Sequence, residues 1–523
     1  MPDADRPNGR RLGLALAALG AGALVPLSLA PFGFWPLGML AVAVWFWVLR
    51  QPDIRPWLAG WLFGVGKYAV GASWIYVSIH VYGDAPPLLA GFLVALFVAG
   101  LGLFTLANAV AFAQVRGAGV VADALCFAVL YVVFEWVRTW FLTGFPWLLL
   151  GYAHLETPLS GLAPVGGMLL VSLVVALTGT LLVVLVELRR ARPGAQVDEA
   201  QVDEWPAAHR LVRGYLPVAL LLVLPWLVGF AAAGITWVAP LERHTVALVQ
   251  GNVDQSVKWD PEESQRIIDT YVSLSEPHWD AQALIWPEAA ITLLEHEAAS
   301  LLAALDSRGH AAGAAVLVGL PRVERLPGGG LEFHNAARVL GTGSGLYLKR
   351  RLVPFGEYVP LEGWLRGLIA FFDLPMSGFT PGAWAQPLLD LGGPRGVMAI
   401  CYEVVYPDLV REQADRADVL LTISNDTWFG ASAGPWQHLE MAQMRALENG
   451  RWMLRGTNNG ITAIIDHHGR IRARLPQFEA GVLRGEWWAM QGTTPYTRLG
   501  YLPVSGSALV LLALAFAVRR RHP

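Results

Sequence analysis

Long apolar runs separated by short polar loops occupy the chain as far as Trp237, and one more apolar run precedes its end. A membrane-crossing helix needs roughly 20 apolar residues. Eight runs approach that length: 12–30, 34–49, 57–79, 88–115, 120–142, 159–188, 216–237 and 502–518. Pro26, Pro31 and Pro36 crowd the junction of the first two, which makes that boundary the least sharp. From His244 the texture changes. Short β-branched runs at 245–250, 283–286, 316–319, 336–340, 397–400, 419–423 and 461–466 predict strands, and 261–275 and 436–448 predict helices. Alternating strands and helices predict a layered α/β domain, with polar residues collecting where strands end in loops.

Charge orients the apolar runs. Loops on the cytoplasmic side of a membrane are enriched in Lys and Arg. Arg6, Arg10 and Arg11 precede the first run; Arg50 and Arg55 follow the second and Arg116 the fourth. Arg189, Arg190, Arg192, Arg210 and Arg213 lie between the sixth and seventh, and Arg519, Arg520 and Arg521 close the chain. The alternate loops 31–32, 81–87 and 143–158 hold no Lys or Arg. This alternation predicts eight spans with both termini cytoplasmic, and places 239–497 outside the cytoplasm. Three regions follow: a transmembrane domain over 1–238 with seven helices, an outer domain over 239–497, and an eighth helix with a short tail over 498–523. The alternative reading of the first run as a signal peptide finds no clear small-residue cleavage site and would spoil the alternation. Composition agrees with a membrane protein: 54% of residues are hydrophobic and 15% charged, with mean hydropathy +0.44, against about 25% charged in soluble domains.

Candidate chemistry sits at the polar ends of apolar runs in the outer domain. The chain has two cysteines. Cys126 falls inside the fifth span and Cys401 in the outer domain, so the outer domain has no disulfide framework of its own. Cys401 ends the run Val397-Met398-Ala399-Ile400, Glu288 follows Trp286-Pro287, and Lys349 follows Tyr347-Leu348. A thiol of ordinary pKa, about 8.5, is mostly protonated at neutral pH, and a carboxylate within hydrogen-bond reach can take its proton. A fixed ammonium stabilises the oxyanion that forms when the thiolate attacks a carbonyl. Each residue also has a plainer alternative. Cys401 suits a small buried hydrophobe, Glu288 suits the cap of a helix over 289–294, and Lys349, beside Arg350 and Arg351, suits a solvated basic patch.

The order Glu288, Lys349, Cys401 resembles the catalytic triad of the nitrilase superfamily. So do the strings Trp286-Pro287-Glu288, Lys349-x-x-Leu352-Val353-Pro354-Phe355-Gly356-Glu357 and Cys401-Tyr402-Glu403. With eight spans, the string 250–259 ending in Lys258-Trp259, and the string 424–430, nearly the full length resembles that superfamily's membrane-embedded branch, the apolipoprotein N-acyltransferases. The resemblance implies an αββα nitrilase-like sandwich inserted between the seventh and eighth transmembrane helices. It also implies a ping-pong acyl transfer with a thioester on Cys401. The donor would be a membrane phospholipid, typically phosphatidylethanolamine, and the acceptor the α-amine of S-diacylglyceryl-cysteine on an apolipoprotein. No metal or other cofactor is implied. The implied location is the bacterial inner membrane with the catalytic domain periplasmic. Glu357, Tyr402, Glu403 and Trp259 are implied as supporting or substrate-binding residues. From the residues alone, Glu357 reads equally as a turn acid, Tyr402 and Glu403 as packing residues, and Trp259 as a core tryptophan.

The segment 361–376 is crowded with apolar side chains for a water-facing loop, with Trp364, Phe371 and Phe372 prominent and Gly363, Gly367 and Gly378 as hinges. Its spacing fits in part an interfacial helix, which predicts a lid that admits lipid chains; the alternative is packing against the domain core. Polar residues inside spans default to functional hypotheses. Lys67 in the third span reads as a contact to a lipid headgroup or a carboxylate, and Glu135 and Arg138 in the fifth as a pair on one helix face. A basic stripe with interleaved aromatics is missing, so nucleic acid is not an expected partner; nor are there repeats, zinc-ligand spacings or phosphate-loop motifs. Two rivals remain: a membrane-tethered amidohydrolase using water as acceptor, and a non-enzymatic transporter or lipid-binding protein. The lid expectation is testable: replacing Trp364, Phe371 and Phe372 by Ala should slow turnover of long-chain donors and spare short water-soluble esters, and equal loss on both would remove the lid.

Overall fold

The structure is a computed structural model that describes residues 6–117, 119–190, 207–358 and 378–521. The lid candidates Trp364, Phe371 and Phe372 lie outside the described residues. The chain divides into two compact units. One comprises Met1–Ser73, Phe92–Ile235 and Tyr501–Pro523; the other comprises Trp74–Gly91 and Thr236–Gly500.

The first unit is helical: α1 (Arg6–Leu27), α2 (Pro36–Leu49), α3 (Pro56–Gly71), then, beyond the short α4 (Ile75–His80) of the second unit, α5 (Pro87–Val115), α6 (Val120–Arg138), α7 (Ala163–Arg190), α8 (Ala207–Ala232) and a last helix Leu502–Arg521. Among the described residues five helices are long and apolar enough to cross a membrane, and Pro36–Leu49 and Leu502–Val518 are shorter apolar helices. The run 57–79, expected as one span, breaks after Gly71 and resumes as α4. The fifth run ends as a helix at Arg138; the backbone leaves helical geometry at Trp140 and turns left-handed at Leu142. Small residues set the helix spacing. A Cβ on Gly22 of α1 would meet the Phe63 carbonyl oxygen at 1.9 Å, and one on Gly66 of α3 would meet the Leu19 carbonyl oxygen at 2.0 Å. Inside this unit Glu135 pairs with Lys67 (3.8 Å) rather than with Arg138. Arg138 Nη1 instead donates to the Phe145 and Trp147 carbonyls (2.6 Å each). Lys67 therefore has the carboxylate partner that was one of its two expected readings.

The second unit holds two mixed six-stranded sheets. The first contains β1 (Val238–Gln250), β2 (Ala283–Ile285), β3 (Ala315–Arg325), β4 (Leu331–Gly341) and β5 (Gly345–Leu348). The second contains β6 (Leu389–Asp390), β7 (Arg395–Ile400), β8 (Val419–Ser424), β9 (Met453–Thr457), β10 (Ala463–Ile465) and β11 (Ile471–Arg474). The last strand, β12 (Gly481–Gly492), returns to pair antiparallel with β1, so the first sheet runs β12-β1-β2-β3-β4-β5 and the second β11-β10-β9-β8-β7-β6. Leu248, Ile285 and Leu317 of the first sheet and Ile400, Leu421, Ile423 and Leu454 of the second share one buried core between the sheets. The outer face of the first sheet buries Val249, Leu284 and Val316 with Ile267 and Tyr271 of the helix Ser264–Ser275 and Leu302 and Leu305 of the helix Ala299–Ala312. The helices Pro407–Arg411 and Gly434–Asn449 pack on β7 and β9 of the second sheet. The layers are thus helix, sheet, sheet, helix.

Strand direction decides where polar side chains gather. β1, β2 and β3 run parallel, and β5, antiparallel to β4, which is itself antiparallel to β3, points the same way. β7, β8 and β9 are likewise parallel. Residues just past β2 and β5 therefore emerge at one edge of the first sheet, and residues just past β7 and β8 at one edge of the second. No helix forms over 289–294; turns occupy it, so Glu288 is not a helix cap. β3 passes directly beneath this turn, at Gly319. A Cβ there would lie 2.5 Å from the Pro287 carbonyl oxygen and 2.8 Å from both Glu288 Cα and Ala289 N. On Gly456 of β9 it would meet Ile285 Cγ2 at 3.4 Å and Ile423 Cγ2 at 4.0 Å, side-chain methyls with no backbone atom among them. Overpacking costs about 1–3 kcal/mol, so Gly319→Ala should lower the thermal unfolding midpoint of the purified protein clearly, and Gly456→Ala should leave it nearly unchanged.

Candidate active site

Glu288 lies beyond β2, following Trp286, whose indole Nε1 donates to Ser275 Oγ (2.9 Å) and anchors the strand end. The carboxylate is buried and surrounded by donors. Oε1 accepts from Asn335 Nδ2 (2.7 Å) and Lys349 Nζ (3.2 Å), and Oε2 accepts from the Asn425 backbone N–H (2.8 Å). Burial alone pushes the carboxyl pKa up. The Lys349 ammonium, the Asn335 and Asn425 donors and the Lys258 ammonium together outweigh it, so the group stays below its ordinary value of 4.5.

Lys349 follows β5, held by its N–H to the Asn335 carbonyl (2.8 Å) and its carbonyl to the Gly382 N–H (2.8 Å). Its side chain is 1% exposed, and the ammonium lies between Glu288 Oε1 (3.2 Å) and Glu357 Oε1 (2.8 Å). Burial opposes the charge, but Glu288, Glu357 and Cys401 prevail and hold the pKa above the ordinary lysine value. Glu357 arrives from a turn in which Phe355 has φ +64°; its Oε1 also accepts from Asn335 Nδ2 (3.1 Å) and its Oε2 from the Val353 N–H (2.8 Å). Lys349 is not a solvated basic residue, and Glu357 is not an exposed turn acid.

Cys401 follows β7 directly, with φ +51°, a left-handed conformation uncommon outside glycine and typical of strained functional turns. Two networks hold it. Glu403, fully buried, accepts from the Ile400 N–H (2.8 Å) before the cysteine, from the Arg350 and Arg351 N–H groups (2.7 and 3.0 Å) after Lys349, and from Tyr347 Oη (3.0 Å to each oxygen). It therefore ties the ends of β5 and β7 together. On the other side His438 Nε2 donates to the Cys401 carbonyl (3.1 Å), and its Nδ1 lies 3.0 Å from Asp426 Oδ1, whose partner oxygen accepts from Arg455 Nη2 (2.6 Å). Burial, with the Glu288 charge, pushes the Cys401 thiol well above its ordinary value, and the Lys349 ammonium opposes this. At neutral pH the resting state is accordingly a neutral thiol beside an ionised Glu288 and a charged Lys349.

Of the other expected residues, Tyr402 is buried with its ring edge-on to Tyr406 (centroids 5.3 Å), and Trp259 is half-buried after the short helix Gln255–Lys258. Asn335, Lys258 and His438 escaped the sequence reading. Asn335 had a usable signal: an Asn inside a strand run disfavours β structure unless its amide is needed. Among the described residues no group of three or more His, Cys, Asp or Glu is placed to hold a metal ion. The arrangement is suited to nucleophilic transfer: a base that keeps its charge, a thiol that keeps its proton until attack, and an ammonium fixed by two carboxylates.

Two family profiles match the chain, the apolipoprotein N-acyltransferase N-terminal domain over residues 21–181 and the carbon-nitrogen hydrolase over residues 245–487. An apolipoprotein N-acyltransferase of Pseudomonas aeruginosa is 46% identical over 512 residues, covering 97% of this chain and 96% of the relative. One from Azotobacter vinelandii is 48% identical over 510 residues, covering 97% and 95%, and one from Vibrio parahaemolyticus is 37% identical over 530 residues, covering 98% of each. Among solved structures, an amidase from Nesterenkonia sp. aligns with 52% of this chain and 98% of its own at 19% identity, with a TM-score of 0.36. On the full-length identity to the three sequence relatives, the chain belongs to the apolipoprotein N-acyltransferase family.

Proposed function

We propose that the chain transfers an acyl group from a membrane phospholipid, typically phosphatidylethanolamine in this family, to the N-terminal α-amine of S-diacylglyceryl-cysteine on apolipoproteins, through a thioester on Cys401. The carrying observation is the buried cluster of Glu288, Lys349, Glu357 and Asn335 around a half-buried thiol held in a left-handed turn. Glu288 takes the thiol proton as Sγ attacks the ester carbonyl carbon. The carbonyl oxygen becomes an oxyanion, which the Lys349 ammonium stabilises in a dry site. Collapse breaks the ester C–O bond, and the lysophospholipid oxygen leaves with the proton from Glu288. The acceptor amine then attacks the thioester carbon, Glu288 takes an amine proton, the C–S bond breaks, and Glu288 passes that proton to the leaving sulfur to return the thiol. Glu357 and Asn335 hold Lys349 and Glu288 in register, Glu403 fixes the nucleophile turn, and Tyr402 and Trp259 shape the substrate side.

In this reading eight helices span a bacterial inner membrane. The sandwich of 239–497 lies in the periplasm between the seventh helix of 1–238 and the eighth of 498–523, and both termini are cytoplasmic. Lipid-anchored donor and acceptor both explain why a transferase of this kind is membrane-embedded. The segment with Trp364, Phe371 and Phe372 acts as the lid.

Intact-mass spectrometry after incubation with phospholipid should show a hydroxylamine-labile acyl adduct on the wild type and none on Cys401→Ala. Released fatty acid without transfer to a lipoprotein peptide would favour hydrolysis, and lipid binding without adduct or release would favour a carrier. The pH dependence has a definite sign. A base works above its pKa, and that of Glu288 lies below 4.5. First-turnover release of lysophospholipid should therefore hold its rate down to about pH 5, just above the ordinary glutamate range; an acid limb centred at pH 6 or higher would contradict Glu288 as the base.

A further inference from the structure

Lys258 is a buried charge without a role in the scheme above. It is 1% exposed and closes the short helix Gln255–Lys258. Its Nζ donates to the main-chain carbonyl oxygen of Glu288 (3.1 Å). The titratable groups that face it are the Glu288 carboxyl, past β2, and the Cys401 thiol, past β7. Anchoring a carbonyl requires only a neutral donor, and an ammonium is a costly one to bury. Its charge has a use in the local balance. Glu288 and Glu357 carry two negative charges and Lys349 one positive, which leaves the cluster one charge negative just where a thiolate and then an oxyanion must form. Lys258 brings that sum to zero.

We propose that Lys258 is a positioning residue of the acyl transfer, which holds the Glu288 backbone and supplies the second positive charge against which the Cys401 thiolate forms. The proposal rests on Cys401 being the nucleophile. Lys349, shared between two carboxylates, is one cation against which the thiolate forms, and Lys258, whose charge Cys401 also favours, is a second. Lys258 acts through the field it exerts on Glu288 and Cys401, without contact to the migrating acyl group. Burial draws its pKa down to about 8, with Glu288 and Cys401 opposing the shift. The ammonium therefore persists below that pH and is lost as pH rises through it.

The test uses the full-length purified chain with phospholipid as donor. In the wild type, the rate of first-turnover lysophospholipid release should fall as pH rises through about 8; a rate flat to pH 9.5 overturns the proposal whatever the variants do. Lys258→Gln keeps a donor for the Glu288 carbonyl and removes the charge, and Lys258→Met removes both. Both should shift iodoacetamide alkylation of Cys401 to higher pH by about one unit, about a tenfold slower reaction at pH 7. Alkylation of Lys258→Gln at the wild-type rate would reduce Lys258 to a carbonyl anchor and overturn the proposal. Should neither variant show a thermal unfolding transition, the wild-type profile decides alone. An absence of acyl adduct on the wild type at every pH sinks the Cys401 reading itself; adduct formation indifferent to Lys258 sinks only this assignment.

Discussion

Two buried carboxylates share one buried ammonium in this protein, and the catalytic half of the fold is arranged around that constraint. Taking Glu288, Glu357 and Lys349 out of water is expensive, and pairing alone rarely repays it unless the remaining acceptors and donors are also satisfied. Here they are. The amide of Asn335 reaches both carboxylates, and the N–H groups of Asn425 and Val353 take the outer oxygens. Those donors come from β4, from the end of β8 and from the turn before Glu357. The cluster exists only when both sheets are formed and in register, so the site is a product of the tertiary fold and of no single segment.

The Cys401 turn adds a second constraint. A cysteine at φ +51° is strained, and it persists because the groups on either side are pinned. Glu403 collects N–H groups from the ends of two strands in different sheets, and His438 holds the cysteine's own carbonyl. Neighbours of the reactive residues thus divide into two kinds. Some bear on the charge of Glu288 and Cys401, and others, Glu403 foremost, hold backbone in place. The family resemblance marked Glu403 and Tyr402 as functional without separating these kinds; the hydrogen bonds of Glu403 place it with the second.

Much of this was legible in the chain. Glu288, Lys349 and Cys401 each stand where an apolar run turns polar, and parallel strands carry such residues to the same edge, which is why strand-end chemistry could be read before any contact was known. Partners across the sheets were not legible. Asn335 is distant from Glu288 in sequence, and only the β3–β4 pairing brings it near. Lys258 looked like one more charge in a polar string because burial has no local signature. The strands β9 and β12 were missed because polar or glycine residues interrupt their apolar runs, as Arg455, Gly456 and Gly485 do. In the helical unit, three-residue spacing suggested that Glu135 faces Arg138, but Lys67 of another helix competes for the carboxylate and backbone carbonyls compete for the guanidinium.

The donors on Glu288 also decide where a proton can land. An ionised carboxylate offers about four lone-pair sites. Two on Oε1 are taken by Asn335 and Lys349, and one on Oε2 by Asn425. Among the described residues one site stays open, on the oxygen that Lys349 does not touch. Protonation there withdraws electron density from the oxygen that grips the Asn425 N–H and leaves the ammonium's own contact in place. Asn425 adjoins Asp426, which sits against the histidine bonded to the cysteine carbonyl. Through one backbone amide, the protonation state of Glu288 thereby bears on the loop that supports Cys401.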